Sequence, residues 1–237
     1  MTGPWAAGVV IPAHDEEGTV ARCLRSVLRA LRASAAPAAF VVLVADACTD
    51  RTMARAHTTL GTAGEVVSVR ERSVGAARAY GALRCLERLA SVPEDRIWLL
   101  NTDADTVVPE DWVRRQLAFA RGGAAAVAGR VALDREGGRL DPSIARHFAQ
   151  SYTLGADGTH AHVHGANLGV RADAYRDTGG WLPKACSEDH CLWDRLRARG
   201  WPVVSPTASV VATSPRLRGR APGGFASDLA ALGRAAS

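Results

Sequence analysis

The sequence predicts an α/β fold, with a mostly parallel central sheet flanked by helices in a single domain. Three observations carry this expectation. Short apolar runs alternate with stretches of helical periodicity through residues 8–105. The last of these runs, Ile97-Trp98-Leu99-Leu100, leads directly into Asn101-Thr102-Asp103-Ala104-Asp105. A chain of 237 residues with 47% hydrophobic content, no internal repeat and no clear linker can also bury one substantial core.

The elements follow in order. Gly8–Ile11 reads as a strand ended by Pro12. Val20, Leu24, Val27, Leu28 and Leu31 then recur at helical spacing. Phe40–Val44 is a second strand, followed by a helix from Thr52 to Leu60. Val66–Val69 is a third strand. The helix after it, Ala76 to Leu89, places Ala79, Leu83, Leu86 and Leu89 on one face. Ile97–Leu100 is the fourth strand, and this alternation implies parallel strands with right-handed crossovers.

Beyond residue 105 the pattern is less regular. A helix is expected over Trp112 to Ala120, with strands over Ala124 to Leu133 and His162 to Val170. Glu188 to Arg199 reads as a helix. Ser187 would cap it, two acids lie in its first turn, and Gly200 follows its end. Asp134–Asp141 and Thr213–Gly224 read as loop or arm.

Composition excludes several classes. The formal charge of +5 comes from arginine, since Lys184 is the only lysine. The arginines are scattered and not interleaved with aromatic residues, so no nucleic acid is expected as partner. Five cysteines form no Cys-x-x-Cys pair, which argues against a disulfide framework or zinc site and for reduced thiols in the cytoplasm. No charged segment followed by an apolar one opens the sequence, and no apolar run approaches a membrane span.

The chemistry begins at the strand ends. Asp103 and Asp105 would stand at the C-terminal end of the fourth strand, where open α/β sheets bind ligands. Paired carboxylates there suit a divalent cation holding phosphate oxygens. With 15 aspartates in the chain, an isolated Asp-x-Asp carries little weight, so its placement and company must decide. Pro12-Ala13-His14-Asp15-Glu16-Glu17 follows the first strand, although acids there also suit simple helix capping. Asp46 ends the second strand, where it could accept from a base or a ribose. Neither a Gly-x-Gly-x-x-Gly nor a Gly-x-x-x-x-Gly-Lys-[Ser/Thr] motif occurs. A nucleotide would therefore be held by side chains and a metal.

Further motifs continue the series: Ser73-Val74-Gly75-Ala76-Ala77-Arg78, Gly165-Ala166-Asn167, Gly179-Gly180-Trp181 and Ser187-Glu188-Asp189-His190. In this order and spacing the set resembles family-2 inverting, nucleotide-sugar-dependent glycosyltransferases of the GT-A fold, over roughly residues 8–212.

The resemblance implies a donor site of Pro12, Ala13, His14, Glu16, Asp46, Gly75, Arg78 and Asp103. It gives Asp105 to a Mn²⁺ or Mg²⁺ ion, and Asp189 the role of base. It places Gly165, Asn167 and Glu188 around the sugar and acceptor. The donor would be a UDP-, GDP- or TDP-sugar and the acceptor soluble or at a membrane surface, so the protein could lie peripheral to a membrane. Within the single domain 1–237, residues 8–105 would bind the nucleotide and 106–212 the acceptor, with 213–237 as an arm or helix.

The sequence also departs from the family. Asp15 stands where Asn is frequent, and no histidine follows His190 to complete a metal site. Arg216, Arg218 and Arg220 could instead neutralise the diphosphate, or form a solvated basic tail. The Gln-x-x-Arg-Trp motif of processive synthases is absent, which points to single transfer. His160, His162 and His164 alternate, so on a strand they would share one face, as a metal site or as part of the acceptor pocket. Two competing readings are a non-catalytic nucleotide-sugar-binding domain and a sugar-phosphate nucleotidyltransferase. The second needs a Gly-rich first loop that Pro12-Ala13-His14-Asp15 lacks.

Overall fold

A computed structural model describes residues 4–134, 141–152, 155, 157–217, 219 and 225–235. Its first half runs β1 (Ala6–Ala13), α1 (Val20–Ser34), β2 (Ala38–Asp46), α2 (Thr52–Leu60), β3 (Gly64–Val69), α3 (Val74–Arg88) and β4 (Ile97–Asn101). The second half runs β5 (Thr106–Val107), α4 (Trp112–Arg121), β6 (Ala126–Ala128), β7 (Arg130–Leu133), α5 (Pro142–Ser151), β8 (Leu168–Arg171), α6 (Ala172–Asp177), α7 (Glu188–Ala198), β9 (Val203–Val204), β10 (Val210–Thr213) and α8 (Phe225–Ala235).

The main sheet has seven strands in the order β3-β2-β1-β4-β8-β6-β9. Strands β1 to β4 pair in parallel, whereas β8 is antiparallel to both β4 and β6. Strand alternation divides the core between the two faces. Val9 and Ile11 face one side with Leu24 and Val27 of α1 and Leu117 of α4. Val10 faces the other side with Ala77 and Leu86 of α3 and Leu192 of α7.

Pro12 does not end β1 as the sequence suggested. The strand runs to Ala13, and Pro12 pairs with Val44 of β2. Pairing with β4 stops at Val10–Asn101, so the proline lies where no β4 ladder bond is required of it.

The expected strand Ala124–Leu133 is two strands in different sheets. β6 joins the main sheet, and β7 joins a three-stranded sheet ordered β5-β10-β7. The expected strand from His162 begins only at Leu168, because Gly165–Asn167 forms a 3-10 turn. Residue 187 does precede α7, but Ser187 adopts φ 55° and makes no side-chain cap. No helix among the described residues is long and apolar enough to cross a membrane.

Candidate active site

The C-terminal ends of β1, β2 and β4 open into a cavity of about 910 Å³. Its far wall comes from the 162–166 and 185–190 segments, Thr213–Arg216 and the start of α8. Sequence motifs far apart along the chain therefore meet at one sheet edge, as ligand sites of open α/β sheets do.

Two carboxylates define the corner below β4, and each is held by an arginine. Arg78 is 2% exposed and spends all three nitrogens. Its Nη2 donates to Asp103 Oδ1 at 2.5 Å, its Nε to Glu188 Oε1 at 3.2 Å and its Nη1 to the Gly165 carbonyl at 3.1 Å. Its guanidinium also lies over the Trp181 ring, 5.3 Å from the centroid. Gly165 is required by this closeness, because a Cβ there would stand 2.5 Å from Arg78 Nη2.

Arg216 is held differently. Its Nη2 reaches Glu16 Oε1 at 2.6 Å and Asp105 Oδ2 at 3.0 Å. Thr213 Oγ1 donates to Asp105 Oδ1 at 3.3 Å. The small sheet makes this meeting possible: Thr213 pairs with Thr106, so β10 runs alongside Asp105 and leads the chain on to Arg216. Burial raises the Asp105 carboxyl to about 6, against the opposing pull of Arg216.

Asp189 occupies the first turn of α7. Its Oδ2 accepts from the Gly165 N–H at 2.8 Å and its Oδ1 from its neighbour His190 N–H at 2.8 Å. The carboxylate is thus oriented by backbone groups on both oxygens, with lone pairs remaining toward the cavity it lines. Glu188, beside it, points instead to Arg78 in the interior, and burial raises its carboxyl above the ordinary range.

Several expected ligand residues are committed to the scaffold. Asp46 accepts from the N–H groups of Glu71, Arg72 and Ser73 at 2.8–2.9 Å, so it shapes the loop into α3 while lining the cavity. Asn167 is fully buried, with all four hydrogen-bonding directions used: Oδ1 accepts from Trp112 Nε1 and Gln116 Nε2, and Nδ2 donates to the Arg130 and Ser209 carbonyls. It does not line the cavity but locks the turn behind it. Gly75 is also not a lining residue. Its N–H donates to the Lys184 carbonyl, and a Cβ there would stand 2.0 Å from the Leu182 carbonyl.

The remaining predicted residues do meet at the cavity: Pro12, Ala13, His14, Glu16, Arg78, Asp103, Asp105, His164, Gly165, Glu188, Asp189 and Arg216. Arg218 and Arg220 lie outside the described residues. Asp15, at φ 51°, serves as an acceptor for the N–H groups of Thr49 and Asp50, a task that needs no amide donor.

Sequence reading missed the aromatic wall formed around the 160–164 histidines. Tyr152 lies 4.4–6.1 Å from the rings of His160, His162 and His164, and Phe225 packs edge-on against His164 at 5.8 Å. The alternating histidines share a face as expected, but they do not form a metal-binding group. Burial lowers the His164 imidazole to about 4, and its Nε2 is buried without a hydrogen-bond partner. Only the alternation itself hinted at this wall, since Tyr152 and Phe225 come from separate helical ends.

The donors around Asp105 suit Mn²⁺ or Mg²⁺ in kind, being hard carboxylate oxygens. The position already carries a positive group, the Arg216 guanidinium, which marks it as a seat for a cation. Among the described residues, the one compact metal-type cluster is Asp15, Cys48 and Asp50. Its carboxylates are taken up by loop N–H groups and Thr52, as turn-forming groups are.

This sheet, with an Asp-x-Asp below its fourth strand and a backbone-held carboxylate across the cleft, defines a GT-A glycosyltransferase domain. The chain belongs to glycosyltransferase-like family 2, whose model matches residues 4–229. A mannosyltransferase, PcManGT from Pyrobaculum calidifontis, solved with GDP-Man and Mn²⁺, is similar at TM-score 0.66 and 17% identity, covering 92% of this chain and 59% of that one. S. aureus TarS 1-349 with UDP-GlcNAc is similar at TM-score 0.64 and 13% identity, covering 98% and 65% respectively. Glucosyl-3-phosphoglycerate synthase from Mycobacterium tuberculosis with phosphoglyceric acid is similar at TM-score 0.54 and 20% identity, covering 99% and 80%. The chain thus spans less than two thirds of the length of the first two. Among curated proteins no sequence matches significantly.

Proposed function

We propose that the chain transfers one sugar, with inversion, from a nucleoside-diphosphate sugar to an acceptor hydroxyl. The observation that carries this reading is Asp189. A carboxylate held on both oxygens by backbone N–H groups faces a cavity that runs from the Asp103–Asp105 corner to the aromatic wall. Such a group can take the acceptor proton as the acceptor oxygen attacks the anomeric carbon. The bond to the diphosphate breaks on the opposite side, and the nucleoside diphosphate leaves.

Asp105 with Glu16 would hold Mn²⁺ or Mg²⁺, which supplies neutralisation of the leaving diphosphate when bound. The Mn²⁺ in the PcManGT complex named above supports this assignment. Pro12, Ala13 and His14 frame the nucleoside end, and Arg78 fixes Asp103 beside it. His164 and Gly165 border the acceptor. The residues form one functional unit, with residues 8–105 serving the donor and 106–212 the acceptor. The absent Gln-x-x-Arg-Trp motif supports non-processive transfer, and the reduced thiols favour a cytoplasmic setting. The test is release of nucleoside diphosphate from UDP-, GDP- and TDP-sugars with Mn²⁺, followed by NMR of the product's anomeric configuration. Binding without any release would favour a non-catalytic nucleotide-sugar module.

A further inference from the structure

We propose that Arg216 is a resident counter-ion in the cation seat between Glu16 and Asp105, and that it yields the seat only to a diphosphate. Metal binding is then conditional on donor binding. This rests on the assignment of that corner to the donor's diphosphate.

The charge arrangement carries the inference. The Glu16 and Asp105 side chains are 6% and 9% exposed, and the Arg216 Nη2 lies within reach of one oxygen of each. Arg216 already brings a positive charge to these two carboxylates. A divalent ion entering beside the guanidinium would place two cations within contact distance, which a buried site disfavours. The two therefore exclude each other.

A diphosphate removes the conflict. It brings negative charge to the same corner, and guanidinium groups bind phosphate oxygens in paired hydrogen bonds. Arg216 can then move to the diphosphate and leave Asp105 and Glu16 to the metal. Magnesium-type ions bound through one or two carboxylates normally complete their shell with substrate phosphates.

The hold of Arg216 suits this exchange. One terminal nitrogen makes both contacts, its side chain is 30% exposed, and it follows β10 on a segment without regular structure. Arg78, with three nitrogens committed and 2% exposure, has no such freedom.

Equilibrium dialysis of the full chain tests this by counting protein-bound Mn²⁺ with the metal alone and with inorganic pyrophosphate. The wild type should bind Mn²⁺ weakly alone and clearly more tightly with pyrophosphate. If Arg216 fills the seat nine-tenths of the time, R216A and R216Q should bind Mn²⁺ alone about tenfold more tightly than wild type. Pyrophosphate alone should bind them more weakly. R216Q keeps a donor to the carboxylates and guards against misfolding of R216A, and D105N should bind no Mn²⁺ under any condition. Equal Mn²⁺ affinity with and without pyrophosphate in the wild type would overturn the proposal. So would Arg216 variants that bind Mn²⁺ alone no better than wild type. Neither measurement needs turnover, so failure to transfer sugar would sink the functional reading while leaving this result intact.

Discussion

Two arginines in this cleft each bridge two carboxylates, and they do opposite things. Arg78 joins Asp103 to Glu188 and the Gly165 carbonyl, tying α3, the Asp-x-Asp turn, the 3-10 turn and α7 into one body. Arg216 joins Asp105 to Glu16 through one nitrogen on an irregular segment. The first is a structural rivet, and the second is a removable plug. Like ion triads differ in role because burial and the number of committed donors differ, not because the residues do.

The sharpest way to break this contrast is to remove the rivet. Arg78→Ala leaves Glu188 and Asp103 without their cation, and losing one member of a buried ion pair typically costs about 3–5 kcal/mol. For a chain of this size that corresponds to a fall in Tm of roughly 10 °C, read by thermal unfolding. A Tm within two or three degrees of wild type would make Arg78 as dispensable for stability as Arg216.

The adjacent acids of α7 sharpen the contrast further. Asp189→Asn should keep nucleoside diphosphate binding and lose about 10²–10⁴-fold in transfer, the usual worth of a positioned base. Glu188→Gln should instead lower Tm, because it weakens the hold on Arg78. If Asp189→Asn lost donor binding and turnover in equal measure, Asp189 would belong to the scaffold.

Arg216→Ala should cost only about 1–2 kcal/mol, because Asp105, already raised to about 6, can take up a proton when its cation leaves. The melt should shift by a few degrees, while affinity for nucleoside diphosphate falls clearly. A collapse as large as that of Arg78→Ala would erase the distinction between rivet and plug.

The smallest expected effect lies on the aromatic wall. His164 is held near 4 in the fold against an unfolded value near 6.5, so between those pH values the unfolded chain binds more protons. Its contribution to stability is therefore lost as pH falls from about 6.5 toward 4. His164→Gln should flatten that part of the Tm–pH curve. An unchanged slope would mean that the imidazole is not buried neutral.

The first half of the chain, through β4, was largely legible because its signals are local. Val9, Val42 and Leu99 lie in apolar runs that can only be buried strands, and helix α2 starts and ends where its sequence pattern does. Asp103 and Asp105 followed from the position of a strand end. What escaped was set by partners distant in sequence. Nothing near Asn167 shows that Trp112, Gln116, Arg130 and Ser209 will consume its hydrogen bonds. The resemblance gave Gly75 to the donor site, but its need for a missing side chain comes from Leu182, on another segment. Strands β5 and β9 hold two residues each, too few for any periodicity to register.

The Thr106–Thr213 contact joins groups 107 positions apart and closes the small sheet over Asp105. During synthesis the parallel strands leave the ribosome well before β10, since chains emerge at only about 5–20 residues per second. Until β10 docks, Asp105 has neither Thr213 nor Arg216 beside it, and its carboxylate faces water. The nascent chain can thus assemble most of its parallel strands before the Asp105 corner is complete. Completion of that corner is a late, long-range event, of the kind that slows folding.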